Sequence, residues 1–472
     1  GHWLIRPRRA TKTALFPFRA APNREEIELR TMDFLRRVSL LAVVCAATVP
    51  PAWAQEPRQD GAAQAPPADH SAMHHGASAS LIDEIEEHTA SGTCVEPDSS
   101  NGPMLMSMRH GWMLMLHGVA FVAAQQQSGP RGGDKVFSTN WAMGMAQRRA
   151  GPGTLTLRAM LSLEPATISG RLYPELFQVG ETAFGRAIVD GQHPHNFFME
   201  LAGLYDVRVG DHGLISMYAA PVGDPALGPP AFPHRASADE DPLAVLGHHS
   251  QDSTHISGSV FTLGAAYRTV RAEVSAYHGR EPGENRWTIP VGAPDSWAAR
   301  LTVNPFRNWS AQYSIGRLHS PEAINPQEDT LRMTASIDYH RAFARGDWAS
   351  ILVWGRNKML PDGEIFSSYL AESRLRFASR NAVWTRLENV DRSNELLIGQ
   401  TPTPPGFVEH FLARVQAYSF GYDRDIFVTP RTRTAVGAQV TVFGVPGSLQ
   451  PLYGHTPLGV VTFVRFRPGR TR

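Results

Sequence analysis

Between Pro103 and Gly118, methionine and histidine recur at alternate positions: Met104, Met106, Met108 and His110, then Met113, Met115 and His117. Thioether sulfur and imidazole nitrogen are the donors that soft copper(I) prefers to water and carboxylate. In a β-strand, residues i, i+2 and i+4 share one face. The spacing predicts a strand with Met113, Met115 and His117 on a metal-capable side and Trp112, Leu114 and Leu116 on an apolar side. Packing alone is the competing reading, because methionine is also a flexible space filler.

Three more clusters carry the same donors. Asp69-His-Ser-Ala-Met-His-His-Gly76 supplies His70, Met73, His74 and His75. Asp190-Gly-Gln-His-Pro-His-Asn196 supplies His193 and His195 around a proline that fixes an extended backbone, so both rings face one way. The segments Phe232–Arg235 and Gly247–His255 add His234, His248, His249 and His255 beside the carboxylate of Asp252. A carboxylate next to a histidine can orient the ring for a metal. A loop that merely hydrogen-bonds its surroundings explains the same residues. A hydrolase built from Ser250 or Ser253, His249 or His255 and Asp252 is a weaker reading, because working triads gather residues from distant segments.

The Asp69–Met73 run, placed ahead of a strand-rich region, resembles the outer-membrane copper-resistance barrel family, whose members carry Asp-His-Ser-x-Met repeats on a periplasmic arm; one copy stands here. The segments His110–Gly118 and Gly191–His195 resemble a group of exported barrels with a Met-x-Met-x-His-Gly first strand and a Gly-Gln-His-Pro-His loop. The second resemblance covers most of residues 103–470 and implies an outer-membrane barrel. The first implies copper resistance or homeostasis.

Strands must position these donors, and the sequence is rich in them. From Gly111 onward, stretches of about ten residues alternate apolar with polar and are separated by turn residues, as in outer-membrane barrels. Leu331, Met333, Ala335, Ile337 and Tyr339 oppose Arg332, Thr334, Ser336 and Asp338. Val270, Ala272, Val274 and Ala276 oppose Arg271, Glu273 and Ser275, and Trp297, Ala299, Leu301 and Val303 oppose Ala298, Arg300 and Thr302. Phe411, Ala413, Val415 and Ala417 oppose Leu412, Arg414, Gln416 and Tyr418. The expected fold is all-β: a transmembrane antiparallel up-and-down barrel of about 14–16 strands, apolar rows to lipid and ionic rows inward. Trp141, Trp297, Trp309, Trp348, Tyr369, Trp384 and Tyr418 are expected to form its aromatic girdle. Arg271/Glu273, Arg332/Asp338, Glu372/Arg374/Arg376 and Arg386/Glu388 are expected to pair across the lumen. Pro165–Asn196 and Pro221–His255 are long loops expected to carry function or fold into the mouth. A soluble β-sandwich shows the same alternation. The export signal, the length of the repeat and a strand close to the chain terminus favour the barrel.

Domain boundaries follow composition. Residues 1–31 read as an upstream extension, 32–54 as a signal peptide with its apolar core at Val38–Val49, 55–103 as a disordered periplasmic arm, and 104–472 as the barrel. Within the arm, Leu81–Glu87 is a two-turn helix candidate. A net charge of +1 offers nucleic acid nothing. Of the cysteines, Cys45 falls in the signal segment and Cys94 is left as a lone thiol. The expected partners are outer-membrane lipid, the barrel-insertion machinery and periplasmic copper carriers. The function expected from the residues is non-enzymatic: an outer-membrane barrel that binds or handles copper ion. The alternative is a general porin-like channel in which methionine and histidine are incidental.

Overall fold

The structure, a computed structural model, describes residues 80–100, 102–399 and 401–469. His70, Met73, His74 and His75 lie outside the described residues, as does the signal segment.

Sixteen antiparallel strands close into a barrel. They run Trp112–Gln127, Asn140–Ala150, Gly153–Leu161, Phe198–Val209, Gly213–Gly223, Ser257–Tyr267, Val270–His278 and Ser296–Phe306. The second half comprises Trp309–Leu318, Asp329–Phe343, Gly346–Leu360, Ile365–Phe377, Asn381–Ser393, Phe411–Val428, Thr432–Gly444 and Leu458–Pro468. Closure falls on the Met/His strand. Its first half pairs with Asn140–Ala150, from Met113↔Gln147 to Ala120↔Asn140, and its second half pairs with the last strand, from Ala120↔Phe466 to Gln127↔Gly459. A short strand, Leu105–Arg109, folds back on its start with Met106 opposite Met115 and Met108 opposite Met113. Closure leaves no free sheet edge, which a membrane wall requires.

The outer face is aliphatic and aromatic. Leu263, Val274, Leu301, Ile337 and Leu352 are exposed, and Trp297, Trp309, Trp348, Tyr369 and Tyr418 join them. Most charged side chains of the wall face inward, so the barrel is an outer-membrane protein. Tight turns such as Gly151-Pro152, with Gly151 at φ +59°, join the strands at one end, and all the long connections lie at the other. Short turns mark the periplasmic end of such barrels and long loops the extracellular end.

Three segments fold into the lumen: residues 80–100, 162–197 and 224–256. Residues 80–100 depart from the disorder expected of them as part of the 55–103 arm, while residues 55–79 lie outside the described residues. Helix α1, Leu81–Glu87, is capped by Ser80 and buries Leu81, Ile82 and Ile85 with Val95 against the wall residues Leu214 and Ala266. Wall arginines hold the rest. Arg158 donates to the carbonyls of His88 and Ala90, and Arg271 donates to that of Thr93 (2.7 Å). Arg300 donates to Cys94 Sγ (2.9 Å). Burial pushes the Cys94 thiol up to about 12, so it carries no thiolate near neutral pH. Cys94 should resist a thiol reagent in the native barrel and react fully after heat unfolding in detergent; labelling of the native protein would show that residues 80–100 leave the lumen.

Two expectations about facing are corrected. Trp141 and Trp384 point inward, where Trp384 donates to Gln439 (2.6 Å) and Trp141 packs on His234, so neither joins the girdle. On Phe411–Val428 the small aliphatic row Ala413, Val415 and Ala417 also faces inward, while Arg414 and Tyr418 face out. The plug explains this reversal: Leu176, Phe177, Val179 and Val189 supply an apolar surface inside the lumen for that row to cover.

The charge ladder forms largely as expected, with the plug as an added partner. Arg300 meets Glu273 (3.0 Å) and Arg386 meets Glu372 (2.7 Å). The acidic run Asp239-Glu240-Asp241 of the plug adds Arg376–Glu240 (2.7 Å) and Arg386–Asp241 (3.1 Å). Arg332 does not meet Asp338. It donates to Asn357 (3.0 Å) and Ser253 (2.9 Å) instead.

Candidate metal centre in the lumen

The fold buries seven of the predicted histidines in the lumen, five of them in one row. Ring centroids are 6.1 Å apart for His193–His249, 5.4 Å for His249–His248, 5.3 Å for His248–His255 and 5.4 Å for His255–His195. His234 and His117, 6.5 Å apart, both pack on the Trp141 ring and form a second group. Residues 191–195, 232–235 and 248–255 sit on two separate plug segments, and His117 sits on the wall.

Five of these rings have one nitrogen committed. His248 Nδ1 donates to Asp252 Oδ1 (2.6 Å), and His255 Nδ1 donates to the Asp252 carbonyl (2.8 Å). His195 Nδ1 donates to Glu164 (3.0 Å), His249 Nδ1 to Glu281 (3.3 Å) and His193 Nδ1 to the Pro194 carbonyl (3.0 Å). A carbonyl or carboxylate only accepts, so the neutral rings of His195, His248 and His255 carry their proton on Nδ1 and keep the lone pair on Nε2, whereas His193 Nε2 lies 3.4 Å from Glu181. Nε2 of His195, His249 and His255 is buried without a protein partner, as are Nε2 of His117 and both nitrogens of His234. Partnered Nδ1 with an open Nε2 is the arrangement of metal-binding histidine.

Electrostatics keep most of the row neutral. Burial and the neighbouring His248 hold His255 down at about 3, and burial likewise lowers His193, His234 and His248. Burial opposes charge on His249 too, but the Glu281 carboxylate outweighs it and raises that ring. Burial alone would raise Asp252; Arg235 and His248 outweigh it and hold the carboxylate well below its usual range.

Beside this row lies a thioether cluster. Met113, Met115, Met143, Met145, Met160 and Met199 are buried together, with Met104 and Met106 packed against them. Met115 pairs with Met145, and His117 pairs with Met143, so imidazole and thioether donors meet on adjacent strands. The predicted inward face of Met113, Met115 and His117 is thus found. Met108 is exposed, and His110 sits exposed in the turn at φ 50°, so neither joins the cluster. The Met143-x-Met145 spacing could have flagged the neighbouring strand. Nothing local could have flagged Glu164 or Glu281 as ring-orienting carboxylates, because they lie 31 and 32 residues from the rings they touch.

The serines of the hydrolase reading are otherwise engaged. Ser250 donates to the Gly247 carbonyl (3.0 Å) and shares a hydroxyl–hydroxyl bond with Ser368 (2.7 Å), and Ser253 donates to Glu281 (3.1 Å). Asp252 serves His248 and Arg235.

No family model matches this chain, and no curated protein matches it either. Among solved structures, an anion-selective porin from Comamonas acidovorans is similar at 9% identity over 75% of this chain and 99% of that one, with a TM-score of 0.43. OmpF of Salmonella typhi in complex with daunomycin is similar at 9% identity over 77% of this chain and 100% of that one, with a TM-score of 0.44. The outer membrane channel DcaP of Acinetobacter baumannii is similar at 10% identity over 76% of this chain and 99% of that one, with a TM-score of 0.42.

Proposed function

We propose that this porin-like barrel binds copper in its lumen, through the imidazole row and the thioether cluster that adjoins it. The observation that carries the reading is the set of buried Nε2 atoms of His195, His249 and His255, left without protein partners on rings whose Nδ1 atoms are pinned. The imidazoles form successive pairs rather than a closed triplet: among the described residues, the group whose three ligand atoms lie within 4.8 Å of one another is made of glutamates. A row of pairs suits an ion of low coordination number passed between neighbours, which is the habit of Cu(I). Imidazole pairs also accept Cu(II), and thioethers select Cu(I). Met113 and Met115 start the wall strand at the short-turn end, so the soft donors stand toward the periplasm, where a copper carrier would exchange.

Purified protein should bind more than one Cu(I) per chain. Replacing His195, His248 and His255 together with Ala should remove most of the Cu(II) capacity and leave part of the Cu(I) capacity, whereas replacing Met113, Met115 and His117 should remove Cu(I) capacity preferentially. Unchanged stoichiometry in both variants would reduce these donors to packing.

The second reading is a porin-like channel. A polar cavity of about 280 Å³ favours it; Arg376, Arg433, Arg465, Arg467, Asp423 and Asp425 line it at the short-turn end. That reading requires ion conductance in planar bilayers without added metal.

A further inference from the structure

Three carboxylates that the copper reading does not use converge among the extracellular loops. Glu322 lies in the connection 319–328, and Glu395 and Glu409 lie in the connection 394–410. One oxygen from each lies within 4.8 Å of the others. None of the three makes an ion pair with a lysine, arginine or histidine among the described residues.

Acidic clusters are common, and two further observations separate this one from a solvated patch. Glu395 is fully buried and its Oε2 has no partner, while its Oε1 accepts only from the backbone N–H of Gly180 (3.2 Å). Glu322 Oε2 is likewise enclosed without a partner. Buried acceptors of this kind are costly unless something with positive charge completes them. The plug also comes within reach, because Gly180 packs directly under the His249 ring: a Cβ there would meet the ring at 2.9 Å.

We propose that Glu322, Glu395 and Glu409 form a site for a hard divalent cation, of the calcium class, which latches two extracellular loops to the plug. An ion centred among the three oxygens lies no more than about 2.8 Å from each, a spacing that admits the roughly 2.3–2.6 Å of calcium–oxygen bonds. All-oxygen donors select the calcium class over copper. Through Glu395 and the Gly180 N–H, the bound ion ties residues 394–410 to the 162–197 plug segment, and through Glu322 it ties in residues 319–328.

The test is calcium titration of the purified full chain in detergent, with the temperature of the heat-induced gel shift read in EDTA and in calcium. One Ca²⁺ per chain is expected, with a dissociation constant on the order of 0.1–1 mM, the range of extracellular modules. Calcium should raise the transition temperature. The double variant Glu322→Gln, Glu409→Gln should lose calcium binding. In EDTA it should be at least as heat-stable as the parent, because like-charge repulsion is relieved, and in calcium it should be less stable. A parent that binds no calcium overturns the proposal, as does a double variant that is destabilised equally in EDTA and calcium, the mark of a purely hydrogen-bonded cluster. The variant with His195, His248 and His255 replaced by Ala should keep the calcium response, so failure of the copper reading and failure of this one are distinguishable.

Discussion

Replacing residues 225–255 with a two-residue turn is expected to raise single-channel conductance roughly tenfold or more, because sixteen strands enclose a water-filled bore when nothing occupies it. The wall should survive the excision. Gly223 and Ser257 already face each other in the ladder, so the strands that flank the plug segment can be joined without moving. The same holds for plug segment 162–197, whose flanking residues Leu161 and Phe198 are also paired. Removing both should increase conductance further. The single excision also removes His234, His248, His249 and His255, so copper binding should fall in parallel. A folded, heat-modifiable variant with parental conductance would mean that the remaining segments seal the bore by themselves.

The second large effect is expected at Arg235. Its guanidinium is almost wholly buried, donates to Asp252 (3.0 Å) and faces Glu372 across 3.2 Å. Arg235→Ala leaves Asp252 with the His248 ring as its remaining charge partner and Glu372 with Arg386 alone, a loss of about 3–5 kcal/mol. The sixteen-strand wall has its own hydrogen-bond ladder, so the loss falls on the docking of the plug segment. Amide exchange over residues 232–256 should accelerate by about 10²–10³-fold, with the strands unaffected. Cu(II) affinity should fall too, because Asp252 orients His248 and, through its carbonyl, His255. Arg235→Lys keeps the charge and loses the fork, and should fall between. Parental exchange in the alanine variant would show that the plug is held by its other contacts, such as Arg386–Asp241 and Arg376–Glu240.

The barrel was legible because strand alternation has a period of two and repeats for most of the chain. The inward Met113, Met115 and His117 followed from that period alone, and the structure places them so. The same period says nothing about which face meets lipid when both are plausible. Ala413, Val415 and Ala417 read as a lipid-facing row, yet they cover Leu176 and Phe177 of the plug. A one-residue shift in parity reverses every assignment on a strand, and only the partner surface decides it. Trp141 and Trp384 illustrate the same ambiguity, since an aromatic near a strand end suits a girdle or a lumen equally well. The arm offered a similar limit: polar composition over 55–103 hid a stretch, 80–100, whose few apolar residues are enough because the wall supplies the rest of their burial.

What the residues determined by themselves is local and chemical: an alternating wall, an inward methionine and histidine face, and histidine-bearing loops too long to be mere connections. What the tertiary structure decided is which of these donors meet. His193 and His195 join His248, His249 and His255 only because two separate loops fold into one bore, and Glu322 meets Glu395 and Glu409 only because neighbouring loops crowd one rim. Side-chain identity sets what an atom can bind. Barrel closure, which pairs the first wall strand with the last across more than three hundred residues of chain, sets where that atom stands.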